Sequence, residues 1–230
     1  MIPVIDLRHG VVVRARAGDR DAYAPIRTPL ASGSAPADVA RGLLAAYPAD
    51  TLYVADLDAI VDGAAPDLAR LRAIRAAVPG IALWVDAGFA QPAAVARFVG
   101  AAVGRPVIGS ESQTEAAWVQ ALGPDAVLSL DSRGAERLGP EALHAEAHRW
   151  PADVIVMTLA RVGAGAGPDL GAIAEAVARA PRARIHAAGG VRGSDDVARL
   201  IGIGAAGALV ASAIHDGALR NPGDGPSPGP

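Results

Sequence analysis

The sequence predicts an α/β fold, a (β/α)₈ TIM barrel formed by a single domain, on three observations. Its 230 residues suit a fold that commonly uses about 200 to 250 residues as one unit. Eight short apolar runs alternate with eight longer segments of helical periodicity. The apolar runs are mostly continuous, as is typical of parallel strands buried on both faces. A doubly wound open sheet stays an alternative, because periodicity alone does not show that the sheet closes.

The eight predicted strands come at intervals along the chain, and a helical segment follows each of them. The strands are Ile2–Asp6, Thr51–Asp56, Ile81–Asp86, Pro106–Gly109, Ala126–Asp131, Asp153–Thr158, Arg184–Ala188 and Gly207–Ala211. The helices are Pro36–Ala46, Pro66–Val78, Gln91–Val99, Gln113–Leu122, Pro140–His148, Asp169–Ala180, Ser194–Ile203 and Ala213–Leu219. Three of these helices begin with proline, which is favoured in the first helical turn.

A weak internal repeat indicates a duplicated half barrel. Val4-Ile5-Asp6-Leu7-Arg8-His9-Gly10 resembles Ser129-Leu130-Asp131-Ser132-Arg133-Gly134, and the two motifs end the first and fifth predicted strands. Glycine also follows the third and seventh strands, at Gly88 and at Gly189-Gly190. Recurrence at half the length of a fold is the signature of an internal duplication.

The composition excludes several kinds of chemistry. Cysteine is absent, which rules out disulfides, thiolate catalysis and cysteine-ligated zinc. Every basic residue is arginine, so no lysine can form a Schiff base. The net charge of −3 and the scattered basic residues argue against a nucleic acid partner.

The ends of the chain lead to expectations about location and domain limits. The start lacks the basic flank and cleavage site of a signal peptide, and no apolar stretch reaches the roughly 18 residues of a membrane helix. We therefore expect a cytoplasmic protein without a membrane partner. Residues 1–219 form the barrel in this interpretation, and the Pro/Gly-rich tail 220–230 is expected to be disordered.

Asp6 and Asp131 are the first candidates for catalysis. Each ends an apolar strand, and the two strands lie on opposite sides of a closed barrel, so both carboxylates would face the mouth where substrates bind. Two such groups can divide acid and base roles if their pKa values differ. The alternative is structural, with each aspartate capping a loop or pairing with the nearby Arg8 or Arg133.

Glycine-containing strand ends predict phosphate binding. Loops after strands seven and eight, with a helix N-terminus, form the usual phosphate site of such barrels. Gly189-Gly190 and Ala211-Ser212 occupy these positions. Gly88 with Gly109-Ser110 would form a matching site in the first half, so that a ligand could carry a phosphate at each end.

Other polar residues have weaker interpretations. Asp56, Asp58 and Asp86 follow strands two and three and could in principle bind a divalent cation, but no histidine stands at ligand spacing, so no metal is expected. Asp56 is assigned instead to orienting loops or substrate. His144 and His148 are four residues apart, and we expect them to lie on a solvated helix face.

Several motifs together resemble the HisA/HisF group, the half-barrel-duplicated enzymes of histidine biosynthesis, over nearly the whole chain except the tail. They are closer to the isomerase branch than to the cyclase branch. The motifs are Ile2-Pro3-Val4-Ile5-Asp6-Leu7-Arg8-His9-Gly10, Val13-Arg14, Gly18-Asp19, Tyr53-Val54-Ala55-Asp56-Leu57-Asp58, Leu128-Ser129-Leu130-Asp131-Ser132-Arg133-Gly134, Ala188-Gly189-Gly190-Val191 and Ser194-Asp195-Asp196.

This resemblance implies an Amadori rearrangement, in which an aminoaldose carrying two phosphates becomes an aminoketose without a cofactor. Asp6 would be the general base and Asp131 the general acid. Thr158 ends its strand near the position of a functional threonine of the family, and Arg14 matches a position in the hairpin after the first strand. The predicted glycine sites would hold the two phosphates.

The sequence departs from the family at the substrate site. The first phosphate loop is normally Gly-Gly-Gly-Ile-Arg, and here it is Asp86-Ala87-Gly88-Phe89-Ala90. An Asp-Gly-Thr segment after strand six is replaced by Val162-Gly163-Ala164, and the stretch after Asp131 is shorter. A carboxylate at position 86 would repel a phosphate, which favours a substrate with one phosphate or with a cationic amine.

Three functions therefore stay open. The first is a HisA-like isomerase of a phosphorylated metabolite that uses Asp6 and Asp131. The second is a diverged relative with a different phosphorylated substrate, connected with tetrahydromethanopterin-linked one-carbon metabolism. The third is a non-catalytic binding or assembly subunit, against which the two strand-end aspartates count. The sequence does not specify an oligomeric state.

Overall fold

Eight parallel strands close into a barrel in the computed structural model, which describes residues 1–15 and 23–219. The last strand pairs with the first, with Ile2 opposite Leu209 and Pro3 opposite Val210. This closure confirms the barrel and excludes the open sheet. The strands are β1 (Ile2–Arg8), β2 (Thr51–Asp56), β3 (Ala82–Asp86), β4 (Arg105–Gly109), β5 (Val127–Arg133), β6 (Asp153–Thr158), β7 (Arg184–Ala188) and β8 (Gly207–Val210).

Helices connect the strands and cover the outside of the barrel. Within the described segments they are α1 (Pro36–Ala46), α2 (Leu57–Asp62), α3 (Leu68–Ala77), α4 (Pro92–Gly100), α5 (Ala117–Gln120), α6 (Glu141–Ala145), α7 (Leu170–Arg179), α8 (Ser194–Gly202) and α9 (Ser212–His215). The bounds of α1 coincide with the prediction, and α3, α4, α7 and α8 agree within two residues at each end.

Three predicted helices are shorter than expected, and one of them, predicted as Ala213–Leu219, is the single turn α9. The segment predicted as Gln113–Leu122 contains only the single turn α5, because the Gln113 side chain is committed to the carbonyl oxygens of Phe89 and Gly109. The segment predicted as Pro140–His148 is divided between α6 and a 3₁₀ turn at Ala147–Arg149.

The structure differs from the sequence prediction at two more places. Helix α2 was not predicted, and it begins where the Asp56 side chain accepts a hydrogen bond from the Ala59 N–H. The solvated face expected for both histidines is wrong for His144, which is buried with Nε2 2.9 Å from the Leu138 carbonyl oxygen. His148 is exposed as expected.

Each half of the barrel has a hairpin after its first strand. Strand β1 turns back through His9 and Gly10, both with positive φ, into an antiparallel strand at Val11–Arg14. Strand β5 turns back through Gly134 into a shorter one at Glu136–Arg137. The two longest barrel strands, four positions apart, thus end in the same way, which agrees with the half-barrel repeat in the sequence.

Apolar side chains form two separate layers, one inside the barrel and one between strands and helices. Alternate residues of a strand point to opposite faces, so each strand contributes to both layers. The outer layer contains large fully buried residues such as Ile5, Leu52 and Ile108. The inner layer is smaller and includes Ile2, Tyr53, Trp84, Val107, Val127, Ile155 and Leu209.

A polar network closes the barrel at the N-terminal ends of its strands. Asp153 is 1% exposed and accepts hydrogen bonds from Arg184, with Arg105 and His186 also within bonding distance. Trp84 packs edge-on against the His186 ring at 5.1 Å. Burial lowers the pKa of His186, whereas the hydrogen bonds from Arg184, Arg105 and His186 outweigh burial and hold the pKa of Asp153 well below its usual range. The opposite end of the barrel, at the C-terminal ends of the strands, contains the cavity described below.

The expected disorder of the tail 220–230 concerns residues outside the described segments and stays a prediction, as does the motif at Gly18-Asp19. Within residues 1–15 and 23–219, no helix combines the length and apolar character needed to cross a membrane.

Candidate active site

A cavity of about 350 Å³ opens at the C-terminal ends of the strands. Twelve of its described lining residues are charged residues, serine or glycine, two are tyrosines, and the rest are mainly small or aliphatic. The charged, serine and glycine residues are Asp6, Arg14, Asp86, Glu111, Asp131, Gly163, Gly165, Gly189, Gly190, Arg192, Ser212 and Asp216. Three of the carboxylates, Asp6, Asp86 and Asp131, therefore share one enclosure with the second pair of glycines.

Strand register decides which predicted residues reach this cavity. Asp6 is level with Ala55, and Ala55 is level with Asp86, so these three residues face inward together. Asp56 is one position later and faces the helices. Its carboxylate is 3% exposed and accepts hydrogen bonds from the N–H groups of Ala59 and Asp67. Asp56 thus organises the loop after β2 and lies outside the described lining.

The same alternation places Thr158 away from the cavity. Asp131 is level with Met157, and Ser132 is level with Thr158. Met157 lines the cavity, whereas Thr158 is buried on the other face of β6. A catalytic role for Thr158 stays a prediction that this placement does not support.

Asp131 is held by its neighbours and nearly removed from water. Oδ1 accepts a 2.6 Å hydrogen bond from the Ser129 hydroxyl, and Oδ2 accepts one from the Glu111 N–H at 3.1 Å. Burial raises the pKa of Asp131 to about 7, against the opposing hydrogen bond from Ser129 and with a further rise from the charge of Asp86. A carboxyl group with this pKa can donate a proton near neutral pH.

Asp86 lies beside Asp131 and is bonded to a buried phenol. The Tyr53 hydroxyl donates to Oδ2 of Asp86 at 3.2 Å, and the Gly88 N–H donates to Oδ1 at 3.1 Å. Burial raises the pKa of Tyr53 well above its usual value, and the charges of Asp86, Asp131 and Asp6 raise it further. Tyr53 therefore stays a neutral hydrogen-bond donor in the floor of the cavity.

Glycine at position 109 allows the two carboxylates to approach. A Cβ on Gly109 would lie 3.0 Å from Oδ2 of Asp131 and 3.6 Å from Oδ2 of Asp86. Any larger side chain would therefore displace at least one of them. Gly109 therefore lies next to both carboxylates, and the phosphate binding that the sequence predicts at this position stays a prediction.

The second predicted phosphate site lies in the cavity wall. Gly189 and Gly190 have φ of 98° and 87°, a region open to glycine and unfavourable for other residues. A Cβ on Gly190 would lie 2.3 Å from the Gly167 carbonyl oxygen. The tight turn lies at the cavity surface beside Ala211 and Ser212, at the start of α9.

Two guanidinium groups accompany this turn. Arg192 follows it and binds the Asp196 carboxylate through Nε and Nη2. Arg14, on the hairpin after β1, binds Asp216 through Nη2. Both arginines line the cavity, and at the end formed by β7, β8 and the hairpin their charges are offset by Asp216 and Asp196.

The first predicted phosphate site is not assembled in the same way. Gly88, Gly109 and Ser110 lie outside the described lining of the cavity. Ser110 is fully buried, and its hydroxyl accepts a hydrogen bond from the Asp131 N–H. A Cβ on Gly88 would lie 2.9 Å from the Cα of Ile60, which shows that α2 packs on this turn. Phosphate binding by these three residues stays a prediction.

The three carboxylates that the sequence offered as possible cation ligands point in different directions. Asp56 caps α2, Asp58 accepts hydrogen bonds from the His9 N–H, and Asp86 faces the cavity. Among the residues that the structure describes, no cluster of three or more His, Asp or Glu side chains could hold a metal ion.

Sequence reasoning missed several cavity residues. Tyr53 and Met157 lie within apolar strands and have no motif of their own. Tyr53 shares a strand face with Ala55, and Met157 is level with Asp131 on the next strand, so only the strand register could have indicated them. Glu111 and Arg192 stand one or two positions after predicted glycine sites, so proximity was the available signal. Asp216 could not be found from the sequence, because its contact with Arg14 spans almost the whole chain.

The chain is similar to known proteins over almost its whole length. The model of a family described as "Histidine biosynthesis protein" matches residues 1–220. Curated relatives share the name 1-(5-phosphoribosyl)-5-((5-phosphoribosylamino)methylideneamino)imidazole-4-carboxamide isomerase. The protein from Halorhodospira halophila is 31% identical over 95% of this chain and 93% of its own length.

Two other relatives carry the same name. The protein from Paracoccus denitrificans is 29% identical, with 95% of each chain covered. The protein from Citrobacter koseri is 28% identical, with 94% of each chain covered. These similarities extend over the whole barrel and point to an enzyme of the isomerase type.

Proposed function

The chain belongs to the histidine biosynthesis protein family, and on that premise we propose that it is a HisA-like aldose–ketose isomerase of a phosphorylated metabolite. The single observation that carries the proposal is the placement of Asp6 and Asp131 in one cavity with a glycine turn suited to phosphate. The rearrangement oxidises C2 and reduces C1 of the same molecule, so no oxidant, reductant or cofactor enters the balance.

Asp131 is the general acid in this proposal. Its pKa of about 7 leaves a substantial protonated fraction at neutral pH. The proton passes to the ring oxygen of the aminoaldose, the bond between that oxygen and C1 breaks, and the nitrogen lone pair forms an iminium. The Ser129 and Glu111 hydrogen bonds then hold the carboxylate that remains.

Asp6 is the general base. It lies at the mouth end of β1, across the barrel from β5, and faces the same cavity. It removes the proton from C2 of the open-chain iminium, which gives an enolamine. A proton is then added at C1 and the hydroxyl proton at C2 is lost, which completes the ketose.

The glycine turn and the two arginines hold the phosphate. Backbone N–H groups at Gly189, Gly190 and the start of α9 offer hydrogen bonds to phosphate oxygens. Arg14 and Arg192, each paired with a carboxylate, supply further guanidinium N–H donors at this end. A fixed phosphate orients the sugar so that C1 and C2 reach the carboxylates, and such positioning is a large part of catalysis.

Turnover in D₂O tests this proposal. The substrates are the aminoaldose named for the relatives and a singly phosphorylated aminoaldose, an N-alkyl 5-phosphoribosylamine. We expect ketose carrying one deuterium at C1 in the NMR spectrum from at least one of them. Binding of both without ketose formation would contradict the isomerase and favour a non-catalytic binding subunit.

A further inference from the structure

Charge is distributed unevenly between the two ends of the cavity. The end formed by β3, β4 and β5 presents the carboxylates of Asp86, Glu111 and Asp131. The opposite end has the glycine turn with Arg14 and Arg192, which are the guanidinium groups among the described lining residues. Among the described residues, the charges of Arg14 and Arg192 are offset by their partners Asp216 and Asp196, so a ligand that spans the cavity meets a nearly neutral end and a negative end.

The turns after β3 and β4 are tied together at the negative end of the cavity. Gln113 is 5% exposed and donates to the carbonyl oxygens of Phe89 and Gly109 at 2.8 and 2.9 Å. Phe89 is 2% exposed and packs against Phe98 of α4 with ring centroids 5.0 Å apart. Gln113 thus joins the two turns, and Phe89 anchors the first of them to α4.

The loop after β5 covers the same place from outside. A Cβ on Gly139 would lie 1.9 Å from the Ser110 carbonyl oxygen, so the backbone of that loop rests directly on Ser110. The backbone N–H of Glu111 is used by Asp131, and that of Gly88 is used by Asp86. Two of the N–H groups that could have faced a phosphate are thus bonded to carboxylates.

We propose that Asp86 and Glu111 determine substrate specificity, so that the cavity takes a substrate with one phosphate and a cationic amine at the other end and rejects bisphosphates. The phosphate binds at Gly189-Gly190, and the amine lies between the two carboxylates. This inference rests on the proposed function for the identity of the active site. It contrasts with the relatives, whose named compound carries two phosphoribosyl groups.

Calorimetric binding of three matched sugar phosphates tests the proposal. They are glucosamine 6-phosphate with an amine, glucose 6-phosphate with a hydroxyl in its place, and glucose 1,6-bisphosphate. Titrations at about pH 6.5 keep the amine protonated. We expect the amine to improve affinity about tenfold over glucose 6-phosphate, because the carboxylates attract it. We expect the second phosphate to weaken affinity about tenfold, because the same carboxylates repel it.

Variants assign the preference to the two carboxylates. In Asp86→Asn with Glu111→Gln, we expect the three affinities to fall within about threefold of one another, because the charge that separates them is removed. Glu115→Gln is the matched control, since Glu115 is an exposed carboxylate outside the cavity lining, and it should keep the wild-type order. A thermal melt of each variant checks folding.

Three results would overturn the proposal: bisphosphate binding at least as tight as that of glucose 6-phosphate, a double variant that keeps the wild-type order, or no binding of any of the three sugars by folded protein. The titrations are repeated in Asp6→Asn, in which no turnover is expected. A failed preference with intact isomerase activity rejects only the specificity, and a confirmed preference without isomerase activity rejects only the proposed reaction.

Discussion

Ser129 and Asp131 are joined by a 2.6 Å hydrogen bond between side chains two residues apart on β5. Both side chains face the barrel interior, because residues two apart on a strand share a face. The serine hydroxyl stabilises the ionised carboxylate and so lowers the pKa of Asp131, which burial raises to about 7. The balance between these two effects sets the pH range in which Asp131 can donate a proton.

Ser129→Ala should move the alkaline limit of activity to higher pH. Loss of the hydrogen bond raises the pKa of Asp131 further, by about one unit, and the protonated form is the active one. The pH profile of kcat should therefore fall at higher pH than in wild type. Ser132→Ala is the control, since that hydroxyl bonds to the Met157 carbonyl oxygen. A profile that stays in place or moves to lower pH would reject the acid role.

Asp131→Asn should lose activity and gain stability at alkaline pH. Positioned proton transfer contributes about 10²–10⁴-fold, so kcat should fall by that factor. A carboxyl group with a raised folded-state pKa contributes stability below its unfolded value near 4, and this is lost as pH rises through about 7. The variant should therefore gain about 2–4 kcal/mol in free energy of unfolding relative to wild type between pH 4 and pH 8.

Denaturant unfolding at the two pH values measures this difference. Glu141→Gln serves as the control, because Glu141 is an exposed partner of Arg137 and such pairs contribute little. The same variant-minus-wild-type difference at pH 4 and pH 8 would show that burial does not perturb Asp131.

Gly109→Ala should lower kcat and leave the free energy of unfolding nearly unchanged. The new Cβ would lie 3.0 Å from Oδ2 of Asp131, so the carboxylate must shift slightly, and because a displacement of about 1 Å can cost about 10²-fold, we expect kcat to fall by about threefold to fivefold. Gly100→Ala is a matched control, because a Cβ there has no neighbour within 4 Å. Equal kcat values for the two variants would show that the approach at Gly109 does not matter for catalysis.

Asp153→Asn should destabilise the barrel without altering the reaction. Asp153 neutralises Arg184 and Arg105 at the opposite end from the cavity, and breaking a buried pair costs about 3–5 kcal/mol. Its depressed pKa means that this stability is present above the unfolded value near 4 and is lost as pH falls further. Denaturant unfolding at pH 7 should show the loss, with kcat per folded molecule unchanged. A changed kcat in fully folded protein would contradict the separation of the two ends.

The sequence predicted the barrel well because its strands are apolar runs whose type does not depend on partners. It also located Asp6 and Asp131, since both end such runs. It did not determine which strand-end residues face inward. Asp56 and Thr158 were chosen by position, whereas register places Ala55 and Met157 inward instead.

Long-range contacts account for the remaining differences. The predicted helix from Gln113 is replaced by a turn because that side chain bonds to residues of two other loops. His144 is buried because α6 packs it against the Leu138 carbonyl. Neither contact has a local sequence signal, since helical periodicity reports only the preferences of neighbouring residues.

Conversion of an aminoaldose phosphate in D₂O by wild type, Asp6→Asn and Asp131→Asn tests whether the two aspartates act as the acid–base pair. We expect ketose with one deuterium at C1 from wild type and a loss of about 10²-fold or more in each variant, with phosphate binding retained in both. Turnover of both variants within a few-fold of wild type would contradict the acid–base pair.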